Sequence, residues 1–288
     1  MKSKFAMYYA LVIGAIVVAG AFSSTLPVAA QDESGQNGNG NNAVEDLGLD
    51  LPSTVQGVPA CGAVVTEDVS LNQDLECAGN GLIVGASDVT INLNGHTIRS
   101  IGEEDDDSVN LTVKYGDNNG ILVADSNNVS IIGPGSISGF DRAVTFTGSK
   151  GGLVKDIVLR DNDAAVFITG SSKISVTTNT IDNNRFGVVS ESSQENQVIF
   201  NLIAANEKQG IVLTDSDDDL IFGNTVFANG NNGIFVDAQS FDNFVDLNNV
   251  FGHTKADINN ANGMPVNVNR NNFGENNNCG IGLPGGIC

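Results

Sequence analysis

Apolar and polar residues alternate along the second half of this chain in a repeating unit of 22 to 24 residues. Each unit begins with a small residue, continues with a short apolar run and a polar turn, and ends with two further short apolar segments. Strands this short, separated by turns rich in Asn, Gly, Asp and Ser and without helical periodicity, predict β-structure in every unit. The residues that begin the units are Gly81, Gly120, Ala143, Ala165, Gly187, Gly210, Gly233 and Ala256.

Three strands in each unit predict an all-β fold, a single-stranded right-handed parallel β-helix, or solenoid, of about nine rungs. One rung cannot bury its own Val, Ile and Phe side chains, so it must stack on its neighbours at roughly 4.8 Å per rung. Asparagines recur at one phase, and they are predicted to form a structural ladder inside a turn, because Asn tolerates left-handed backbone and its amide can bond to the next rung. They are Asn179, Asn201, Asn224, Asn248 and Asn271.

The chain divides by composition into three segments. Residues 1–30 resemble a secretory signal, with Lys2 and Lys4 before an apolar run and a small-residue cleavage site after Ala30. An uncleaved membrane anchor is the alternative interpretation of this run. Residues 31–54 are rich in Gly, Asn and acids and predict a flexible linker. Residues 55–288 are predicted to form the β-helix domain, with no second membrane-spanning stretch, in a protein that is secreted or held at the cell envelope.

Four cysteines lie in two local pairs, one near each end of the repeat. In an exported chain, Cys61 with Cys77 and Cys279 with Cys288 are predicted to form disulfides that staple the two ends of the solenoid. A metal site made of all four thiolates would require both ends of a straight rod to meet.

The charge of the chain limits its partners. It carries 13 Lys plus Arg against 34 Asp plus Glu, a net charge of −21, and removal of the signal would make the net charge −23. This field excludes nucleic acid and repels polyanionic polysaccharides unless a cation such as Ca²⁺ bridges them. Asn110 and Asn128 match the glycosylation acceptor pattern, a short pattern that also occurs by chance.

The segment CGAVVTEDVSLNQDLECAGNGLIVGASDVTINLNGHTI, residues 61–98, resembles the opening of secreted right-handed β-helix proteins. The rungs that follow resemble the carbohydrate-binding and sugar-hydrolase β-helix group of the pectate-lyase-like superfamily, which includes lyases, mannuronan epimerases and a periplasmic copper-maturation protein. The resemblance implies the fold. For function it implies either a binding or structural module that recognises an extracellular glycan or envelope partner, or a polysaccharide lyase, hydrolase or C5-epimerase.

Residues suited to lyase or epimerase chemistry are few. Such enzymes neutralise a carboxylate and need a base such as His, Tyr, Lys or Arg, and after the signal this chain has one Tyr, Tyr115, and two His. His96 is expected to be structural and His253 to lie in a surface turn. The Asp-Pro-His-Glu motif of the epimerases and the motif set of polygalacturonases are absent, so no catalytic residue can be assigned from the family.

One set of charged residues does align when the units are stacked. Asp141, Asp163, Arg185 and Lys208 fall two residues before the start of successive units, and Arg142 falls one residue before. On a β-helix these positions lie along one turn edge, so the set is the candidate ligand-binding edge, and Asp141, Asp163, Arg185 and Lys208 are the candidate catalytic residues. A row of surface ion pairs of little energetic value is the alternative.

Two acidic runs are candidate calcium sites, because carboxylate oxygens are the ligands that Ca²⁺ prefers. One lies in an insertion over residues 100–119, and the other comprises Asp215, Asp217, Asp218 and Asp219. Neither run has the spacing of an EF-hand or of calcium β-rolls, and solvated acidic loops are the alternative. No cofactor other than Ca²⁺ is implied.

A stripe of outward positions in the first strand of each unit is unusually apolar. It comprises Ile83, Leu122, Thr145, Phe167, Val189, Val212 and Phe235. Such a face predicts a cover, which a loop, the linker or a second copy of the chain would supply. Self-assembly at a cell surface is therefore a third functional hypothesis beside binding and catalysis.

Overall fold

The structure is a computed structural model that describes residues 59–102 and 118–261. The predicted signal and linker, most of the insertion with Asn110 and Tyr115, and the last units with Asn271, Cys279 and Cys288 lie outside the described residues. The chain divides into Met1–Thr54 and Val55–Cys288, and every described residue belongs to the second unit.

The described residues form 25 short strands and no helix. They are, in chain order, β1 (Ala63–Val65), β2 (Val69–Ser70), β3 (Leu75–Cys77), β4 (Leu82–Val84), β5 (Thr90–Asn92), β6 (Thr97–Ser100), β7 (Asn119–Ala124), β8 (Val129–Ile132), β9 (Ser136–Ser138), β10 (Arg142–Thr147), β11 (Lys150–Lys155), β12 (Val158–Arg160), β13 (Ala164–Thr169), β14 (Ser172–Thr177), β15 (Thr180–Asp182), β16 (Phe186–Glu191), β17 (Gln197–Ile199), β18 (Leu202–Ala204), β19 (Ile211–Thr214), β20 (Leu220–Phe222), β21 (Thr225–Phe227), β22 (Ile234–Val236), β23 (Phe244–Asp246), β24 (Asn249–Phe251) and β25 (Ile258–Asn260).

Every third strand pairs in parallel with the next, which produces three sheets that run the length of the solenoid. Sheet A contains nine strands, in the order β1-β4-β7-β10-β13-β16-β19-β22-β25. Sheet B follows it with β2 to β23 and sheet C with β3 to β24, eight strands each. The predicted parallel β-helix is thus confirmed, with about eight full turns in the described part and β25 beginning a ninth.

The core lies inside the three sheets and consists of stacked columns. In sheet A one column joins consecutive rungs in register and is fully buried: Leu82, Ile121, Val144, Val166, Val188, Ile211 and Ile234. Burial of each such aliphatic side chain stabilises the fold by about 1.5–3 kcal/mol. Because every rung supplies the same positions, the 22 to 24 residue period of the sequence is the period of this column.

The small residue that starts each unit is required by the contact between rungs. A Cβ added to Gly187 would overlap the carbonyl oxygen of Gly210 on the next rung, and one added to Gly120 would meet the carbonyl oxygen of Ala143. Rungs that carry Ala at this position, at Ala143 and Ala165, bury it completely. The position therefore accepts nothing larger than a methyl group.

The predicted asparagine ladder is present between sheets B and C. The backbone N–H of Asn179 donates to Oδ1 of Asn201 at 2.9 Å, and the backbone N–H of Asn201 donates to Oδ1 of Asn224 at 2.9 Å. Asn248 accepts in the same way from the backbone N–H of Asn224 at 3.0 Å. The buried amides thus satisfy backbone groups that the turns leave unpaired.

The first rung is closed by the predicted disulfide between Cys61 and Cys77, whose Cα atoms lie 5.5 Å apart. The bond joins the residues before β1 to the last residue of β3, so it fixes the end of the solenoid at which β1 has no preceding strand among the described residues. The second predicted disulfide, Cys279 with Cys288, stays a prediction. None of the described residues belongs to a helix able to cross a membrane.

Candidate functional site

The candidate site is the edge of the solenoid where the chain passes from sheet C to sheet A, here called the C–A edge. It includes the turns at residues 161–163, 183–185, 205–210 and 228–233, and Asp141 lies in the preceding turn of the same edge, directly before β10. Each of these turns begins with a residue in the left-handed conformation, at Asp161, Asn183, Ala205 and Ala228, with φ between 53° and 56°. The same turn geometry on each rung places equivalent side chains in rows along the axis.

A second ladder supports this edge from inside. The backbone N–H groups of Asn162, Asn184 and Asn206 donate to Oδ1 of the ladder residue on the next rung at 3.1, 3.0 and 2.9 Å. Each of these side chains is almost fully buried. The ladder holds the backbone of successive turns in one register, so the residues that follow it have fixed positions.

The charged residues predicted to share this edge do lie on successive rungs. The backbone N–H of Ala164 donates to the carbonyl of Asp141 at 2.9 Å, that of Phe186 to Asp163 at 2.7 Å, and that of Lys208 to Arg185 at 2.7 Å. These bonds join one rung to the next at the predicted positions.

The charged side chains of the edge form two ion pairs. Nη1 of Arg185 lies 3.7 Å from Oδ2 of Asp163, and Nζ of Lys208 lies 2.7 Å from Oε1 of Glu207. The hydrogen bond from Lys208 lowers the pKa of Glu207, and the nearby charge of Arg185 acts in the same direction. Asp163, Lys208 and Glu207 are well exposed and Arg185 is partly exposed, so each pair contributes only about 0–1 kcal/mol to stability.

Glu207 was not among the residues predicted from the sequence. It lies next to Lys208 in a turn that is longer than those of the two preceding rungs. The sequence did offer one signal for Glu207, because it directly precedes Lys208, a residue predicted to lie on this edge. Its side chain extends the row to Asp163, Arg185, Lys208 and Glu207, two acids and two bases on three consecutive rungs.

Arg142 takes a different position from the rest of the set. It is the first residue of β10 and is buried at 6% exposure, with its guanidinium carbon 4.7 Å from the ring centroid of Phe167. Arg185 approaches the ring of Phe186 in a similar way, at 5.6 Å. Arg142 therefore lies on the outer face of sheet A, beside the C–A edge, and its contact with an aromatic face is the arrangement of a cation–π pair.

The apolar stripe lies on that outer face, as predicted. Ile83 and Phe235 are half-buried between fully buried neighbours on their strands. In the middle of the sheet Phe167 is buried at 2% and Thr145 at 4% exposure, and Oγ1 of Thr145 donates to Oδ1 of Asn119 at 2.6 Å. Coverage of this face by a second copy of the chain stays a prediction.

The four aspartates predicted as calcium ligands do not share one surface. Asp215, Asp217 and Asp218 are exposed, whereas Asp219 is buried at 1% exposure and bonds inside the coil to Asn196 and Ser190. Within the described residues, no group of three or more His, Cys, Asp or Glu side chains is arranged to hold a metal ion. These four aspartates therefore do not form one calcium site, and the acidic run of the insertion lies outside the described residues.

Comparison with known proteins gives one family and a set of distant structures. The family model described as "Periplasmic copper-binding protein (NosD)" matches residues 80–283. Curated proteins give no match to the sequence, and 15 chains of solved structure match the fold.

Three of these structures show how low their similarity to this chain is. The periplasmic alginate epimerase AlgG is 18% identical with a TM-score of 0.43, over 67% of this chain and 57% of that one. The Dettilon tailspike protein gp208 is 21% identical with a TM-score of 0.46, over 68% and 44%. The A-module of the mannuronan C-5 epimerase AlgE4 from Azotobacter vinelandii is 11% identical with a TM-score of 0.44, over 78% and 77%. This chain therefore spans less than two thirds of AlgG and of the tailspike.

Proposed function

This chain belongs to the periplasmic copper-binding protein (NosD) family, and from that premise we propose that it is an exported β-helix module that binds a linear glycan at the cell envelope. The binding surface is the C–A edge together with the adjacent outer face of sheet A. The observation that carries the proposal is the row of Asp163, Arg185, Glu207 and Lys208 on three consecutive rungs.

The spacing of the row suits a linear polymer. Rungs repeat at about 4.8 Å along the axis, so the edge offers charged and polar groups at regular intervals to a chain of repeating sugar units. The backbone that carries these groups is fixed by the second ladder, Asn162, Asn184 and Asn206. This rigidity limits the entropy lost on binding.

The local charge favours a neutral glycan. Asp163 and Glu207 balance Arg185 and Lys208, so the row has no net charge, and its carboxylates and cations can exchange their mutual contacts for hydrogen bonds to sugar hydroxyls. A uronic polysaccharide would meet the field of a chain with a net charge of −21, which repels it in low salt. A role in binding is also more consistent with Glu207 than a role as a general acid, because its lowered pKa keeps it ionised.

Export is supported by the disulfide and by the family. A Cys61–Cys77 bond persists in oxidising compartments, and the family description places its members in the periplasm. The predicted signal over residues 1–30 completes this proposal, under which the chain works outside the cytoplasm as a secreted or envelope-associated protein.

The test compares binding to neutral and uronic polysaccharides, with and without Ca²⁺, while new reducing or unsaturated ends are also measured. Replacing both Arg185 and Lys208 by Ala is expected to weaken binding of a neutral glycan at least about tenfold, the effect of losing roughly 1.4 kcal/mol. The matched control is Lys173→Ala, because Lys173 forms an exposed ion pair of 3.3 Å with Glu195 at a different edge.

Each outcome separates the hypotheses. Unchanged binding in the double variant would refute the edge as the site. New chain ends would make the protein a lyase or hydrolase, and absence of binding to any glycan would overturn the proposal and direct attention to protein partners or self-association.

A further inference from the structure

The family description raises the question of where this chain could hold copper. Imidazole, thiolate and thioether groups are the protein ligands that copper favours, and the whole chain has 2 His, 4 Cys and 3 Met. Of these residues the described part of the solenoid contains His96, His253, Cys61 and Cys77. The position and bonding of these four decide whether the solenoid fits a copper ion.

The two sulfur atoms are already bonded to each other. Cys61 and Cys77 form the disulfide that closes the first rung, and no free cysteine occurs among the described residues. A disulfide sulfur lacks the thiolate charge that makes cysteine a ligand for copper.

His253 occupies a position in the second ladder, which lies inside the C–A edge and contains Asn206 and Asn229. Its Nδ1 accepts the backbone N–H of Asn229 at 3.1 Å, and its Nε2 lies 3.2 Å from the carbonyl oxygen of Val226, to which it donates. Asn206, two rungs earlier in the ladder, makes the equivalent bonds through Oδ1 and Nδ2. His253 lies in a turn, as the sequence predicted, but it is partly buried and its imidazole replaces an inner amide.

The bonding of His253 also fixes its protonation. Burial lowers the pKa of His253, although the nearby charge of Asp257 acts in the opposite direction. The ring can accept the N–H of Asn229 at Nδ1 only while it is neutral. Both ring nitrogens are engaged by backbone groups, so a metal would have to displace a ladder bond to reach either one.

His96 is held by a carboxylate. Its Nδ1 lies 3.2 Å from Oδ1 of Asp74, which also accepts the backbone N–H of Thr97 at 2.9 Å. His96 precedes β6 on the second rung and His253 follows β24 on the eighth, so about 30 Å of solenoid separates them at roughly 4.8 Å per rung. The two imidazoles cannot bind one ion.

We infer that the described part of the solenoid does not hold copper, because its imidazoles and cysteine sulfurs are bonded into the frame of the fold. The residues present do not fit the metal: one imidazole nitrogen, Nε2 of His96, is the sole ring nitrogen in the described part not committed to another bond. Copper handled by this chain must then be bound outside the described solenoid or by a partner.

The test is retention of copper by the full chain. The purified protein is loaded with Cu(II), or with Cu(I) under ascorbate, washed with a competing chelator and analysed for metal by mass spectrometry. Parent, His96→Ala and Cys279→Ser/Cys288→Ser variants are compared, with circular dichroism as the control for folding.

The inference predicts that the parent keeps no stoichiometric copper. The inference also holds if the parent and His96→Ala keep copper and the double cysteine variant loses it. The ligands would then lie outside the described solenoid. One equivalent that is lost in His96→Ala would overturn the inference, because its ligand would then lie in the described solenoid.

The ladder role of His253 has its own readout. His253→Asn is expected to keep the thermal midpoint within a few degrees of the parent, whereas His253→Ala lowers it clearly, since alanine restores neither bond. Equal losses in the two variants would show that the imidazole does not act as a ladder amide.

Discussion

Asp219→Asn is expected to stabilise the solenoid at neutral and alkaline pH. Asp219 occupies a ladder position that the rungs on either side fill with Asn196 and Asn243. Its Oδ1 accepts the backbone N–H of Asn196 at 2.6 Å, its Oδ2 accepts the hydroxyl of Ser190 at 3.0 Å, and its own N–H donates to Asn243 at 2.9 Å. Asparagine can accept the first bond without carrying a buried charge.

The magnitude follows from the proton equilibrium. Burial raises the pKa of Asp219 from 3.8 to about 7. Below about pH 3.8 the group is protonated in the folded and the unfolded chain. As the pH rises from there, the unfolded chain releases the proton first, so stability falls by about 1.4 kcal/mol per pH unit and levels off above about pH 7. The full loss is about 4 kcal/mol, and Asp219→Asn should remove most of it.

The assay is unfolding by urea at several pH values between about 5 and 8, followed by circular dichroism. The parent is expected to lose stability across this range relative to Asp219→Asn, with the difference largest at the alkaline end. Asp218→Asn is the matched control, since it changes the same charge one residue earlier at an exposed position whose carboxylate has no ladder role. The urea m-values must agree, so that the comparison reports stability rather than a change in the unfolding unit.

The reasoning fails if the parent and Asp219→Asn show the same pH dependence of stability, since the pKa of Asp219 would then be the same in the folded and the unfolded chain. It also fails if Asp218→Asn gives an equal gain at alkaline pH, because the effect would then come from the net charge of the chain.

Three further changes test the frame of the solenoid, each by urea unfolding. Gly187→Ala should destabilise by about 1–3 kcal/mol, since its Cβ would overlap the carbonyl of Gly210; an unchanged midpoint would show that the rungs can separate there. Asn201→Ala should cost roughly 1–3 kcal/mol, because it leaves the buried backbone N–H of Asn179 without its acceptor, and a loss below about 1 kcal/mol would contradict the ladder. Ala228→Gly should stabilise by about 0.5–1 kcal/mol, because Ala228 has φ of 54° and relief of left-handed strain outweighs the added chain entropy; a loss of stability would refute that balance.

The fold was predictable because its determinants are periodic. The ladder residues Asn179 and Asn201 and the small residue Gly187 recur at the rung period, and a single rung cannot be stable without copies of itself. Because every unit repeats one pattern, a strand that is unclear in one unit can be placed from the equivalent positions in the others. The number of strands per rung and their parallel pairing therefore follow from the sequence.

The candidate site was predictable only in part. The period placed Asp163 and Arg185 on adjacent rungs, which the 3.7 Å pair agrees with. It did not predict that Arg142 would lie over Phe167, or that Lys208 would pair with Glu207 on its own rung. A long side chain can reach several neighbours, and the period fixes only where its Cα lies.

The sequence by itself therefore determined the parallel β-helix, its rung length, its first disulfide and the residues that share an edge. The tertiary structure decided which side chains are buried and which are exposed within that frame. Asp219 lies in an acidic run and His253 in a polar turn, yet both belong to inner ladders. The physical reason is that a turn residue faces inward or outward according to the left-handed residue beside it, and that choice depends on the hydrogen bonds offered by the next rung.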